Sequence, residues 1–283
     1  MRQRRVALSS ARLGASLLCL CALACSGETR VSLLEPIAPN RPDAGKPDVA
    51  PSDAAPDVSS PTDPHLIHRY SFSGEGPEVI DSIGGPSGTL EAGAVLDGSG
   101  HLVLDGEGSF VALPSGLISG LGAATIVAWL SWNGGHCWQR VFDFGSNDHD
   151  AGTVGNATSS VFATTLRCPE NVPTAGPGAV FELSEILGSV DGTVRFPELT
   201  RTSIAVAFDP AHQELRLYVA GKLIGAGKFS TLSAITDEND WLGRSQWQQD
   251  IAMRGTYDEF RIYDVALDDE SVAAIDAAGP NAP

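Results

Sequence analysis

Near its C-terminal end the chain reads Gly255-Thr256-Tyr257-Asp258-Glu259-Phe260-Arg261-Ile262-Tyr263. Aromatic and β-branched residues are concentrated in this run, which is typical of a long β-strand. A second strand-like run, Leu66–Phe72, opens the folded part of the chain. We expect these two strands to pair and to bring the ends of one domain together. Asp258 and Glu259 adjoin Arg261, which predicts an ion pair near that sheet edge.

Further strand-like runs lie between these two, each bounded by turn residues. They are His101–Leu104, Phe110–Leu113, Thr125–Trp132, Gln139–Phe144, Ser160–Arg167, Val180–Leu183, Thr193–Phe196, Thr202–Phe208, Glu214–Val219, Lys222–Gly225 and Trp241–Gly243. Ala220-Gly221 predicts a tight hairpin turn, and the apolar run Ile204–Phe208 predicts a strand covered on both faces. A single helix is predicted after Leu267, with Asp268 as its N-cap and Gly279-Pro280 as its stop. The pattern predicts an all-β fold: a two-sheet antiparallel jelly-roll sandwich with a short C-terminal helix.

The charge of the chain is strongly acidic, with a formal net charge of −17 over 283 residues. Residues 1–64 carry seven basic and seven acidic side chains, so the whole excess lies on the remainder. This excess argues against a nucleic-acid partner, because phosphate contacts need a basic face. It suits either calcium or an ordinary soluble extracytoplasmic surface.

Residues 1–25 have the pattern of a secretory signal peptide: an Arg-rich start and a short apolar stretch, Leu13–Ala24. Small residues before Cys25 resemble the bacterial lipobox, which predicts lipidation at Cys25 and a membrane anchor. The alternative is an ordinary cleavage site and free secretion. By resemblance to bacterial sorting rules, Ser26 favours an outer-membrane lipoprotein of the cell envelope.

Three further segments complete the predicted organisation. Residues 26–64 hold eight prolines and repeated Ala, Pro and Asp, which predicts a disordered linker. Residues 65–278 are long enough for one large sandwich domain. Residues 279–283 are predicted to form a short C-terminal tail.

Four sequence blocks carry a family resemblance. They are His68-Arg69-Tyr70-Ser71-Phe72, Arg140-Val141-Phe142-Asp143-Phe144-Gly145, Asp240-Trp241-Leu242-Gly243-Arg244-Ser245-Gln246-Trp247, and the Gly255–Tyr263 strand. In this order they resemble the bacterial LamG-like jelly-roll domains of the concanavalin A-like lectin/glucanase superfamily. The resemblance covers residues 65–275 and implies the fold. It leaves the function open, because the superfamily contains lectins, adhesive modules and glycosidases.

Two cysteines, Cys137 and Cys168, lie inside the predicted domain. Their even number and the oxidising compartment predict a disulfide between them. Metal binding by a cysteine with His136 is the alternative, but the sequence offers no second close ligand pair.

An acidic segment, Asp143 to Asp150, is a candidate calcium site. Asp143, Asn147, Asp148 and Asp150 offer hard oxygen ligands at short spacing. The alternative is a polar loop whose Asp and Asn side chains cap turns. A second acidic loop, Asp237 to Asp240, is a weaker candidate for the same ion.

Four side chains near predicted loops form a candidate carbohydrate-binding site: Trp132, His136, Trp138 and Trp247. Flat aromatic rings stack on sugar rings, and neighbouring polar groups bind the hydroxyls. Core packing is the alternative for each tryptophan.

The sequence argues against catalysis. Retaining glucanases of the resembled superfamily need a Glu, an Asp and a second Glu on one strand face. The only Glu-x-Asp sequence here is Glu238-Asn239-Asp240, and the third carboxylate is missing because the next positions on that face are occupied by Leu242 or Gly243. We therefore predict a non-catalytic, surface-displayed module that recognises an extracellular or envelope glycan, with calcium as a candidate cofactor. A protein–protein adhesion or assembly module is the alternative, and a glycosidase is a third hypothesis.

Overall fold

The computed structural model describes Asp63 and residues 65–168, 176–183 and 185–282. The predicted signal peptide, the lipidation site Cys25 and nearly all of the predicted linker lie outside these residues. Within them the chain forms strands β1 to β16 and one α-helix, α1 (Asp269–Ala278). No described helix has the length and apolar character to span a membrane.

The strands form two antiparallel sheets, which confirms the predicted sandwich. The first sheet has the order β14-β13-β12-β7-β16-β5-β4, with β1 also paired to β16. Its strands are β1 (Leu66–Tyr70), β4 (Val95–Leu96), β5 (Leu102–Asp105), β7 (Ala124–Trp132), β12 (Thr202–Asp209), β13 (Glu214–Val219), β14 (Lys222–Lys228) and β16 (Arg254–Tyr263).

The second sheet has the order β11-β10-β9-β8-β15-β6-β3-β2. Its strands are β2 (Glu78–Val79), β3 (Gly88–Glu91), β6 (Phe110–Leu113), β8 (Arg140–Asn147), β9 (Ala157–Arg167), β10 (Gly176–Glu182), β11 (Ile186–Asp191) and β15 (Asn239–Leu242). The main core lies between the two sheets and is rich in aromatic and aliphatic side chains such as Phe142, Phe144 and Phe260. A smaller cluster, including Trp129, Tyr218 and Val272, packs α1 on the first sheet.

The pairing of the first and last strands is confirmed. Tyr70 of β1 lies opposite Phe260 of β16. Glu259 is buried there between two arginines: its Oε1 accepts from Arg69 Nε at 2.5 Å and from Arg261 Nε at 2.7 Å. Arg261 also donates to the carbonyl of Pro280 at 2.9 Å. Residues beyond 278, predicted to be a tail, therefore contribute to the closure of the domain.

Two local predictions are confirmed and one is wrong. The helix begins after Asp268, whose side chain caps Ser271 N. Ala220 and Gly221 both have positive φ, as a tight hairpin turn requires. The predicted strand Thr193–Phe196 is instead an irregular connection between β11 and β12, in which Val194 is exposed.

Candidate functional site

The outer face of the second sheet is covered by the connection between β15 and β16, residues 243–253, which we call the covering loop. Its ends are joined by a hydrogen bond from Met253 N to the Gly243 carbonyl, at 2.8 Å. Gly243 has a φ of +83° and no room for a Cβ beside Leu104. Beneath the loop, Asp143 of β8 lies opposite Phe162 of β9, and both are buried.

Gln246 anchors the covering loop to the sheet and is itself fully buried. Its backbone N–H donates to Asp143 Oδ2 at 3.1 Å, and its side-chain amide donates to the Asn239 carbonyl at 3.0 Å. Its Oε1 accepts from Asn147 Nδ2 at 3.0 Å. Because a buried network of this kind is costly to break, the loop holds Trp247 in a defined position.

Arg140 joins the sheet to the loop through two ion pairs. Its Nε donates to Asp143 Oδ2 at 3.0 Å, and its Nη2 lies 2.7 Å from Asp250 Oδ2. The side chain is only 2% exposed. Its Nη1 donates to the Trp138 carbonyl at 2.9 Å, so the same guanidinium also fixes the backbone of Trp138.

Trp138 is held in an unusual backbone conformation, with a φ of +69°. For a bulky residue this conformation is strained and persists only where the surroundings impose it. Its N–H donates to the Leu166 carbonyl at 2.7 Å. Its ring lies 5.8 Å from the guanidinium carbon of Arg140 and 5.6 Å from that of Arg167. The side chain remains partly exposed.

The predicted disulfide between Cys137 and Cys168 is confirmed, with the two Cα atoms 5.7 Å apart. It ties the residue before Trp138 to the end of β9. We expect the double variant Cys137→Ala/Cys168→Ala to lose about 3–4 kcal/mol of unfolding free energy, because the open chain gains entropy when unfolded. Urea unfolding measures this loss. An unchanged midpoint would contradict a stabilising role for the disulfide.

Trp138 and Trp247 line a cavity of about 580 Å³ on this outer face. Its other lining residues are Arg140, Phe162, Glu182, Ile186, Gln249 and Asp250. Trp247 also lines a neighbouring cavity of about 450 Å³, together with Arg244. Two partly exposed indole rings in a largely apolar cavity with a few polar groups give a surface on which a flat, hydroxylated ring can stack.

Glu182, at the end of β10, supplies a carboxyl group to the cavity. Glu182 is only 7% exposed, and none of the described residues forms a hydrogen bond with its carboxyl group. Burial raises the pKa of Glu182, the charge of Asp143 adds to this effect, and Arg140 opposes it. The carboxyl group is thus available to a ligand, which would supply its hydrogen bonds.

Two of the four predicted carbohydrate-binding residues line the cavity: Trp138 and Trp247. The prediction for Trp132 is wrong, because its ring is fully buried between the sheets and its Nε1 donates to Gln139 Oε1 at 2.6 Å. His136 is exposed but does not line the cavity. The sequence analysis missed Glu182, because the register of its strand decides whether its side chain points to the cavity. It also missed Asp250, although this residue lies only three positions after Trp247 in the sequence and could have been included in the same site.

Three of the four predicted calcium ligands already have partners within the fold, and Asp150 stays a prediction. Asp143 is wrong as a ligand because it is fully buried and paired with Arg140. Asn147 is buried and its Oδ1 accepts from His149 N at 2.9 Å. Asp148 is exposed, and hydrogen bonds from Asn156 Nδ2 at 2.8 Å and Asn156 N at 2.7 Å lower the pKa of its carboxyl group. Among the described residues, no group of three or more Asp, Glu, His or Cys could hold a metal.

Thermal unfolding tests the calcium site that the sequence suggests at this loop. A ligand at 100 times its dissociation constant stabilises a protein by about 2.7 kcal/mol, which moves Tm by several degrees. We expect no shift of that size between excess calcium and EDTA, because the side-chain oxygens of Asp143, Asn147 and Asp148 already accept hydrogen bonds within the fold. A calcium-dependent shift that Asp148→Ala abolishes would contradict this expectation.

The second acidic loop serves the fold. Asp237 Oδ2 accepts from Ile118 N at 2.9 Å, and Asp240 Oδ2 accepts from Leu117 N at 3.1 Å. Asp240 is fully buried and its Oδ1 has no partner among the described residues. Burial, reinforced by the charge of Asp237, raises the pKa of Asp240 well above its ordinary value.

This raised pKa predicts a pH dependence of stability. The neutral acid is favoured in the fold, so its contribution is full below the ordinary pKa of 3.8 and is lost as pH rises through the raised pKa. We expect Asp240→Asn to increase the unfolding free energy more at pH 8 than at pH 4.5, relative to the parent protein. The exposed variant Asp150→Asn is the control. Parallel pH profiles for Asp240→Asn and the parent would contradict the assignment.

A laminin G-type family model, described as the concanavalin A-like lectin/glucanases superfamily, matches residues 105–273. The chain belongs to this superfamily. The match spans β6 to β16 together with the cavity and the covering loop. Membership in the superfamily accounts for the two-sheet jelly roll.

Several solved structures share this fold. Domain 4 of an extracellular GH43 arabinanase from Geobacillus stearothermophilus, in complex with arabinotriose, is 22% identical, with a TM-score of 0.56 over 74% of this chain and 97% of that one. The binding domain of botulinum neurotoxin serotype D/C is 12% identical, with a TM-score of 0.55 over 76% of this chain and 52% of that one. Trypanosoma rangeli sialidase, in complex with sialic acid, is 14% identical, with a TM-score of 0.52 over 76% of this chain and 33% of that one.

Identities this low show a shared fold alone. Among curated protein sequences, no significant match to the chain is found.

Proposed function

We propose that this protein is a recognition module that binds carbohydrate in the cavity between Trp138 and Trp247. The observation that carries the proposal is that these two partly exposed rings line one cavity, which is largely apolar and holds a few polar groups. Indole faces stack on the apolar faces of sugar rings, while Glu182 and Gln249 offer hydrogen bonds to hydroxyls. The anchored covering loop limits the entropy lost on binding.

The known ligands of proteins with this fold support the proposal. The arabinanase domain was solved with arabinotriose and the sialidase with sialic acid. Neither ligand is transferred to this chain, because the identities are low. They support only the idea that this sandwich suits saccharides.

We also propose that the module is not catalytic. Among the described residues, two carboxyl groups line the cavity, and that of Asp250 is paired with Arg140 and accepts from Ser245 Oγ at 2.8 Å. Glycosidases need two carboxyl groups free to exchange protons or attack the sugar. The sequence pair Glu238 and Asp240 does not line the cavity, and Asp240 is fully buried.

The proposed location is the bacterial cell envelope. Lipidation of Cys25 would anchor the protein in a membrane, with the proline-rich segment as a spacer. Its glycan partner would then be extracellular or part of the envelope. Secretion without an anchor is the alternative.

A second candidate function is protein–protein adhesion or assembly. The edge strands of the two sheets, β11 and β14, expose apolar side chains: Ile186, Leu187, Leu223 and Ile224. Exposed apolar groups on sheet edges are typical contact surfaces for another chain. This surface is separate from most of the cavity, so variants distinguish the two functions.

A glycan array with the purified protein tests the proposal. We expect selective binding that the double variant Trp138→Ala/Trp247→Ala loses, while Leu223→Ser/Ile224→Ser retains it. Release of reducing sugar from the bound glycans should stay at background. Binding that survives the double tryptophan variant would contradict the proposed site.

A further inference from the structure

We infer that the cavity selects against negative charge, so that neutral and amine-bearing sugars bind more tightly than sugars with carboxylate or sulfate groups. This inference rests on the proposed carbohydrate function and names its ligand class. It follows from the charges that line the cavity between Trp138 and Trp247.

The first step concerns the cationic side chains. Arg140 is the one lysine or arginine among the described residues that line this cavity. Both of its carboxylate partners, Asp143 and Asp250, lie within 3.0 Å. Arg167, on the other side of Trp138, is paired with Asp191 at 2.6 Å. Neither guanidinium is left without a counter-ion for an acidic ligand.

The second step concerns Glu182. Its carboxyl group lies at the wall of the cavity, the residue is more than nine-tenths buried, and no described residue hydrogen-bonds to it. An acidic sugar here would place an anion beside the carboxyl groups of Asp250 and Glu182, which would repel it. A hydroxyl or ammonium group would instead donate to the carboxylate, and an ammonium group would also offset its charge.

The third step concerns the field of the whole domain. The net charge of −17 lies on the residues after 64, and it repels anionic ligands over a range of about 8–10 Å at ordinary salt. The carboxyl groups of the cavity and the net charge of the domain therefore both disfavour the binding of an anionic sugar. The sialidase of shared fold, solved with sialic acid, gives no guide to the ligand of this chain.

Matched ligands test the inference by isothermal titration calorimetry. The probes are the neutral oligosaccharide with the strongest array signal, the same compound with its primary hydroxyls oxidised to carboxylates, and the same compound with an amine in their place. We expect the oxidised form to bind at least about tenfold more weakly, which corresponds to about 1.4 kcal/mol. We expect the amine form to bind as tightly as the neutral form, or more tightly.

Glu182→Gln provides the specific test of mechanism. It keeps the shape of the side chain, removes its charge and should narrow the gap between the neutral and oxidised probes several-fold. Glu270→Gln is the control, because this substitution causes the same change in net charge. Glu270 is exposed on α1, which packs on the first sheet, away from the cavity on the second sheet. An equal effect of the two variants would overturn the local role of Glu182.

The outcomes separate the inference from the proposed function. Array binding confined to acidic glycans would overturn the charge selection and leave the carbohydrate function intact. Tighter binding of the oxidised probe would also overturn the charge selection. If Arg244→Gln abolished that binding, recognition would be assigned to the neighbouring cavity that Arg244 lines. The absence of any glycan binding would overturn both.

Discussion

Replacing Arg140 with alanine should lower the free energy of unfolding by about 3–5 kcal/mol. Its guanidinium is buried and is shared by Asp143 and Asp250. Its removal leaves the carboxylate of Asp143 buried without its ion-pair partner, and desolvation already raises the pKa of that carboxyl group. Chemical denaturation followed by far-UV circular dichroism measures the loss.

A matched control for Arg140→Ala is available in the same domain. Arg195 forms an ion pair with Glu198, but its side chain is 59% exposed. Exposed pairs contribute only about 0–1 kcal/mol because water screens them. Arg195→Ala should therefore cost much less, and similar losses in the two variants would contradict the structural role assigned to Arg140.

Replacing Trp247 with alanine should weaken glycan binding by about 2 kcal/mol, a roughly 30-fold increase in Kd. The ring is partly exposed on the anchored loop, so the main loss is the stacking surface rather than the core. Trp247→Phe should recover part of the affinity because an aromatic face remains. Titration calorimetry with the strongest array ligand measures both variants.

Trp132→Ala provides the contrast. Its ring is fully buried, so this variant should lose about 3–5 kcal/mol of stability. Trp247→Ala should keep a near-normal unfolding midpoint. A loss of binding accompanied by an equal loss of stability in Trp247→Ala would indicate a packing role, contrary to the proposed stacking role.

The sandwich could be predicted from sequence because its strongest signals are local. The Gly255–Tyr263 run, the apolar Ile204–Phe208 strand and the Ala220-Gly221 turn each follow strand or turn rules. The strands β2 and β4 could not be predicted, because two residues each are too few to show an alternation of apolar and polar side chains. Thr193–Phe196 had the composition of a strand but lies in an irregular connection.

The candidate site could be predicted only in part, because side-chain exposure depends on long-range packing. Trp132 and Trp138 lie close together in sequence, yet one is in the core and the other lines the cavity. Asp143 lies on an outward-facing position of β8, but the covering loop buries it. Nothing local to Glu182 indicates that the register of β10 directs it to the cavity.

The most direct test of the central claim is nuclear magnetic resonance of the five tryptophan indole N–H groups during titration with the strongest array ligand. Trp129, Trp132 and Trp241 are buried and serve as internal references. We predict that the signals of Trp138 and Trp247 shift in a saturable manner while the other three stay nearly constant. A ligand that binds without moving those two signals would contradict the proposed site.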